Sequence, residues 1–282
     1  MLKKNLIISA LFLGAVAFSG CKRDHNIVDE YDITPPQAPQ NVSVLALDSE
    51  VEIYWDKSPD RDVAGYNVYY SYEYNGRYTF LGYAKNNYYL DGGANGPENG
   101  VKYFYAVTAY DYDGNESDLS GTYVFAIPRP EGYNIPLYDY NVYADKAGYD
   151  FSAYSILDYS AVNCDFFYEK YEGVSYIDVW DDSDIKDAGP TADITDITIA
   201  PVSGYAELIP GDNIKYVEAI EGHTYIIKTW DGHFAKIRVK QIASDKIIFD
   251  WAYQLIEDER MLKPAANRGR KKTYDSITIN SR

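Results

Sequence analysis

Between residues 41 and 127, apolar and polar side chains alternate in short runs, and clusters of Gly, Asn, Asp and Pro separate one run from the next. A period of two marks a β-strand with one buried face, whereas an amphipathic helix repeats every three to four residues. The runs lie at 42–47, 51–55, 65–71, 78–83, 87–90, 102–110 and 122–126. Seven short strands at this spacing predict one antiparallel sandwich. Within 103–109, Tyr103, Tyr105, Val107 and Ala109 share one face, so they are candidate core. Pro128, Pro130 and Gly132 then break the pattern and mark a boundary. Beyond it, strands are predicted at 141–144, 151–159, 165–168, 175–180, 194–199, 223–230, 233–240 and 246–253, with a last one at 274–279 after a basic stretch, 263–273. The fold class is all-β: a sandwich at 36–130 followed by a second antiparallel β domain at 133–282.

The clearest local unit is the pair of alternating strands over 225–239, joined by Asp231-Gly232. That dipeptide is preferred in two-residue type I′ hairpins. Such a turn pairs Trp230 with His233, Lys228 with Ala235, Ile226 with Ile237 and Thr224 with Val239. It sets His223 and His233 on opposite faces, about 23 Å apart at roughly 3.3 Å per residue.

Composition agrees with β-structure: 31 tyrosines against 2 methionines favour pleated, aromatic-rich surfaces. With 43 acidic and 26 basic side chains the net charge is −17, which repels phosphate backbones and excludes nucleic acid as a natural partner. The amino terminus changes the picture more. Lys3 and Lys4 precede an apolar run from Leu6 to Phe18 and the small residues Ser19 and Gly20. At about 13 residues this run is too short for the roughly 20 that a spanning helix requires, and it reads as a secretory signal peptide, residues 1–20. Residues 21–35 form a tether that leads into Pro35, Pro36 and Pro39.

Phe18-Ser19-Gly20-Cys21 resembles the lipobox of bacterial lipoproteins, with Phe18 where leucine is commoner. The resemblance implies a cell-envelope protein held in a membrane by acyl chains on Cys21. Lys22, in place of an aspartate, resembles lipoproteins sent on to an outer membrane. Cys164 is then the one remaining thiol, so no intramolecular disulfide forms. The Pro-x-x-Pro-x-Asn-Val opening at Pro36 to Val42, Trp55, and the run Tyr103-Phe104-Tyr105-Ala106-Val107-Thr108-Ala109 resemble a fibronectin type III domain. This resemblance implies that Tyr103 is a tyrosine-corner residue whose hydroxyl bonds nearby backbone. Residues 222–237 and the strand Ile248-Phe249-Asp250-Trp251-Ala252-Tyr253-Gln254 resemble the C-terminal part of HmuY-like haem-binding lipoproteins.

The second resemblance implies haem as cofactor, for which His223, His233 and Met261 are the candidate ligands. The residues themselves assign no cofactor, because the expected register keeps the two imidazoles from converging on one iron. Asp111 to Asp118 superficially resembles a calcium loop but has neither the closing glutamate nor flanking helices, and Asp-Gly-Asn is ordinary turn chemistry. Asp178, Asp181, Asp182, Asp184, Asp187, Asp193 and Asp196 show no fixed ligand spacing and read as a solvated loop, so no metal is assigned. No histidine neighbours a nucleophile, so no catalytic residue is assigned and the chain is not expected to be an enzyme. The reading is a lipid-anchored binding, adhesive or complex-forming protein whose ligand is a protein or a carbohydrate. Haem or metal capture and an accessory module of a glycan-degrading system are the alternatives. Mass spectrometry of the mature N-terminal peptide is expected to find acyl chains on the amino group and thiol of Cys21, and an unmodified cysteine there refutes the anchor.

Overall fold

A computed structural model describes residues 32–121 and 124–262. Cys21, His25, the basic stretch at 263–273 and the strand expected at 274–279 lie outside the described residues, as do 122 and 123 at the start of another. Among the described residues the regular structure is almost all β-strand, with one short 3-10 helix. Among the described residues no helix is long and apolar enough to cross a membrane.

The first seven strands are β1 (Ser43–Leu47), β2 (Glu50–Tyr54), β3 (Val63–Ser71), β4 (Thr79–Ala84), β5 (Tyr88–Asp91), β6 (Tyr103–Asp111) and β7 (Phe125–Ala126). They form two antiparallel sheets, ordered β1-β2-β5 and β4-β3-β6-β7. Alternate residues meet between them: Val44, Ala46, Val51 and Ile53 from one sheet face Tyr66, Val68, Tyr105 and Val107 from the other. Trp55, 2% exposed, packs edge-on against Tyr66 with ring centroids 5.3 Å apart. The hydroxyl of Tyr103 accepts the backbone N–H of Glu98 at 3.0 Å, the corner implied by the fibronectin type III resemblance.

The linker does not end strand structure as Pro128 to Gly132 suggests. Instead β8 (Glu131–Tyr138) begins there and pairs with β17 (Lys246–Tyr253) as an edge strand. An edge position has one side free of ladder bonds, which is where Pro136 is tolerated. The remaining strands are β9 (Gly148–Asp150), β10 (Ser155–Leu157), β11 (Phe166–Tyr171), β12 (Val174–Trp180), β13 (Asp184–Pro190), β14 (Ile214–Glu218), β15 (His223–Lys228) and β16 (Phe234–Ile242). They make two five-stranded sheets, β10-β9-β11-β12-β14 and β13-β15-β16-β17-β8. Tyr149, Phe166, Tyr168, Ile177 and Val179 from the first meet Tyr225, Ile227, Ala235, Ile237 and Phe249 from the second. The back of the β15–β16 ribbon is covered too. Ile226 and Phe234 bury against Ala200 and Leu262, and the buried Lys236 ammonium donates to the carbonyl of Ile197 at 2.8 Å. Burial on both faces explains why β15 and β16 carry apolar residues at adjacent positions.

Several sequence expectations are corrected. Residues 141 and 142 lie in a turn, Ala144 opens a short 3-10 helix to Lys146 and 194–199 are irregular, while within 151–159 only Ser155–Leu157 is a strand. Four strands arise where none was expected, β8, β9, β13 and β14. All but β9 lie at sheet edges, where charged and proline residues can face away from the ladder. The hairpin register is also shifted by one. Lys228 pairs with Phe234 and Ile226 with Lys236, because the loop has three residues. The Gly232 N–H closes on the Thr229 carbonyl and the Thr229 N–H on the His233 carbonyl, both at 2.9 Å. Only Gly232 has a positive φ, +87°, whereas a type I′ turn needs Asp231 there as well; a type I turn followed by a left-handed glycine results. The Thr229 hydroxyl locks it by donating to Asp231 at 2.5 Å.

Because Trp55 fills the centre of the first sandwich, Trp55→Ala should cost about 3–5 kcal/mol in denaturant unfolding, the usual range for an aromatic truncated in a core. Unfolding with an unchanged midpoint would place Trp55 outside the core.

Candidate functional site

The inward turn of Ile177 and Val179 in β12 sends Tyr176, Asp178 and Trp180 to the outer face of their sheet. Across the ladder, Asp178 stands opposite Phe167 of β11 and Tyr216 of β14, while Tyr176 stands opposite Glu169 and Glu218. Two loops add rings from above. Tyr140 follows β8 and is held by its N–H to the carbonyl of Tyr168 at 3.1 Å; Tyr159 follows β10 and is held by its N–H to the carbonyl of Ala144 at 3.1 Å.

The outcome is two groups of rings on one face of the sheet, on either side of Asp178. Tyr140 stacks on Tyr159 at 4.6 Å, and Tyr159 lies nearly parallel to Trp180 at 6.5 Å, with planes 21° apart. Phe167 sits beneath them, 5.2 Å from Trp180 and 5.5 Å from Tyr159. Tyr176 and Tyr216 form the second group, packed edge to face at 5.5 Å. Tyr140, Tyr159, Tyr176 and Trp180 are half-buried and Tyr216 is exposed, so the rings face solvent.

Two carboxylates are set among these rings. Glu169 accepts the Tyr140 hydroxyl at 2.9 Å, and burial followed by this hydrogen bond pushes the phenol up to about 12. Asp178 is 0% exposed, and neither of its oxygens has a hydrogen-bond partner in the protein. Burial, and then the charge of Glu169, pushes its carboxyl up to about 8. Sequence pattern hinted at this site only through the alternation Tyr176, Asp178, Trp180; Tyr140, Tyr159, Phe167 and Tyr216 come from separate segments.

The histidines and Met261 are placed elsewhere. His223 donates through Nδ1 to Asp187 at 2.9 Å, and His233 donates through Nδ1 to the carbonyl of Gln254 at 3.0 Å. The corrected register puts both on one face of the ribbon rather than on opposite faces, since Thr229 joins His233 and Tyr225 pairs with Ile237. Extended to His223, it sets that residue across from Val239, six positions from His233, or roughly 20 Å along the strand. Met261 lies nearer His233: Gln254 spans them, its carbonyl on the imidazole and its side-chain amide on the Met261 carbonyl at 2.7 Å.

The acidic stretch is not one solvated loop. Asp184 pairs with Lys215 at 2.8 Å, Asp187 holds His223, and Asp196 accepts the N–H groups of Ala192 and Asp193. At 111–118, Asp111 accepts the N–H groups of Asp113 and Asn115 in a turn. Its carboxylate, with those of Asp32 and Asp62, forms the one group of three metal-ligating side chains within 4.8 Å among the described residues.

No family model matches the chain. An amylopullulanase of Thermoanaerobacterium thermosulfurigenes is 36% identical over 105 residues, which are 37% of this chain and 5% of that enzyme. The chain therefore spans only a small part of this relative. An Fn3-like protein from Clostridium thermocellum is 27% identical, aligning 33% of this chain with 92% of that one at a TM-score of 0.28. A DUF4466 family protein from Parabacteroides merdae aligns 76% of this chain with 99% of that one, at 9% identity and a TM-score of 0.36.

The buried acid makes a signed prediction. Because the folded state raises the pKa of Asp178 above its unfolded value of 3.8, the cost of burying it is absent below pH 4. It grows by about 1.4 kcal/mol per pH unit as pH rises toward 8, and then levels off. Asp178→Asn should melt close to wild type at pH 4 and at a higher temperature by pH 7.5. A difference in melting temperature that stays flat across this window contradicts the assignment.

Proposed function

We propose that the protein is a non-catalytic glycan-binding component of a bacterial envelope, held by an acylated Cys21 and presenting the ringed face of the β12 sheet. One observation carries the reading: Tyr159, Trp180, Tyr176 and Tyr216 form a partly exposed aromatic surface set with the carboxylates Glu169 and Asp178. Pyranose rings present flat apolar C–H faces rimmed by hydroxyls. Rings supply area at small conformational cost and carboxylates accept the hydroxyls. Large exposed aromatic patches on soluble folds mark interaction sites. The net charge of −17 disfavours polyanionic ligands. A stretch of this chain is similar to part of an amylopullulanase, which supports an accessory role in glycan use over haem capture.

The test is isothermal titration of the chain from Cys21 onward, with Cys21→Ser to keep it in solution, against neutral oligosaccharides and polysaccharides. Trp180→Ala should weaken binding by roughly tenfold or more, as truncation of a central aromatic anchor does. A panel that fails to bind, or binding indifferent to Trp180→Ala, overturns the reading.

A further inference from the structure

Asp178 is the most unusual group in the second pair of sheets. An ionised carboxylate only accepts hydrogen bonds, and such groups are seldom fully buried without a partner. Here both oxygens are buried and unpartnered. Among the described residues no lysine or arginine forms an ion pair with it. Lys215 on β14 stands opposite Val179, on the other face of the sheet, and bonds the Asp184 carboxylate at 2.8 Å and the Ser183 carbonyl at 2.7 Å.

Asp178 is flanked in the ladder by the rings of Phe167 and Tyr216. Tyr216, directly opposite it in the ladder, is 42% exposed and stands on β14, the edge strand of its sheet. For a ligand on the surface that carries Trp180 and Tyr176 to reach the buried carboxylate, the Tyr216 ring must move aside. The surroundings are those that favour a cation: ring faces attract positive charge most strongly when it is desolvated, and Glu169 adds a second negative group on the same face. A sugar hydroxyl can bond one oxygen of Asp178 but supplies no positive charge to draw the buried carboxyl out of its neutral form. An ammonium group brings three donors and the opposite charge.

We propose that this face selects an amino sugar, with the free ammonium group held by Asp178 and the pyranose rings stacked on Trp180 and its neighbours. The proposal rests on the glycan reading and names its ligand class. A lysine side chain carries the same ammonium, but it would use only the position of Asp178 and leave the near-parallel rings of Tyr159 and Trp180 without an occupant.

The experiment titrates the same Cys21→Ser chain, followed by tryptophan fluorescence and calorimetry, with a glucosamine oligosaccharide, its fully N-acetylated counterpart, a glucose oligosaccharide of equal length and a lysine-rich peptide. The free-amine oligosaccharide should bind roughly tenfold tighter than the acetylated one. Asp178→Asn should abolish that preference, bringing the free-amine and acetylated oligosaccharides to similar affinity, and Glu169→Gln should reduce the preference without removing it. Equal affinity of wild type for all three sugars overturns the amino-sugar assignment and leaves the glycan reading standing, as does a preference that survives Asp178→Asn. Binding of the peptide with no sugar bound overturns both. If Asp178→Asn fails to fold, the wild-type ratio between free-amine and acetylated sugars decides by itself.

Discussion

The apolar contact between the two five-stranded sheets is the constraint on which the second half of the molecule depends. Ile177 and Val179 must point into it, along with Phe166, Tyr168 and Tyr149. A strand has no third direction, so Tyr176, Asp178 and Trp180 must point out. The position of an acid beneath aromatic rings is thus a by-product of core formation in β12. Slipping that strand by one residue would drive Asp178 and its neighbours into the core. The aromatic face inherits its rigidity from the same packing, because Phe167 and Trp180 share strands with core residues.

No disulfide supports either part of the chain: among the described residues the one cysteine is Cys164, buried and reduced. Burial pushes its thiol up to about 12, which makes it inert rather than reactive. The connection between the two parts is secured by polar contacts instead. Arg129 donates its N–H to Leu47 at 3.1 Å and its guanidinium to Glu131 at 3.0 Å, with the two side chains 1% and 2% exposed. The Gly100 N–H bonds Pro128, and the Tyr253 N–H bonds Pro130. A pair so buried contributes little net stability, yet losing either partner strands a charge. This segment is therefore a built joint between the sheets, unlike the proline-rich tether read at 21–35.

Haem capture and glycan binding ask different things of this scaffold. The first needs ligands converging on one iron. His223 and His233 are at opposite ends of one ribbon, each already donating to an oxygen, and Met261 adjoins only the latter through Gln254. The second needs an accessible flat surface with polar acceptors, which is what the outer face of β12 and the Tyr140 and Tyr159 loops provide. The HmuY-like resemblance lies in β15 to β17, of which β15 and β16 have both faces occupied by packing.

Sequence alone determined whatever depends on neighbours along one strand. Period-two alternation located six of the first seven strands to within two residues at each end and put Trp55, Tyr105 and Val107 in the core; the motif around Tyr103 anticipated its corner bond to Glu98. It also located β11, β12 and the three strands β15 to β17. Tertiary structure decided what depends on segments distant in the chain. Edge strands β8, β13 and β14 form because a partner edge is available, which overrides the prolines and charges within them. The turn at Asp231-Gly232 takes its three-residue form because the Thr229 hydroxyl and the His233 backbone complete it, shifting every cross-strand pair by one. The acids from Asp178 to Asp196 look alike in sequence. Asp178 differs because Phe167 and Tyr216 flank it across the ladder, with the loop carrying Tyr140 above their face, and only the folded sheet places them there.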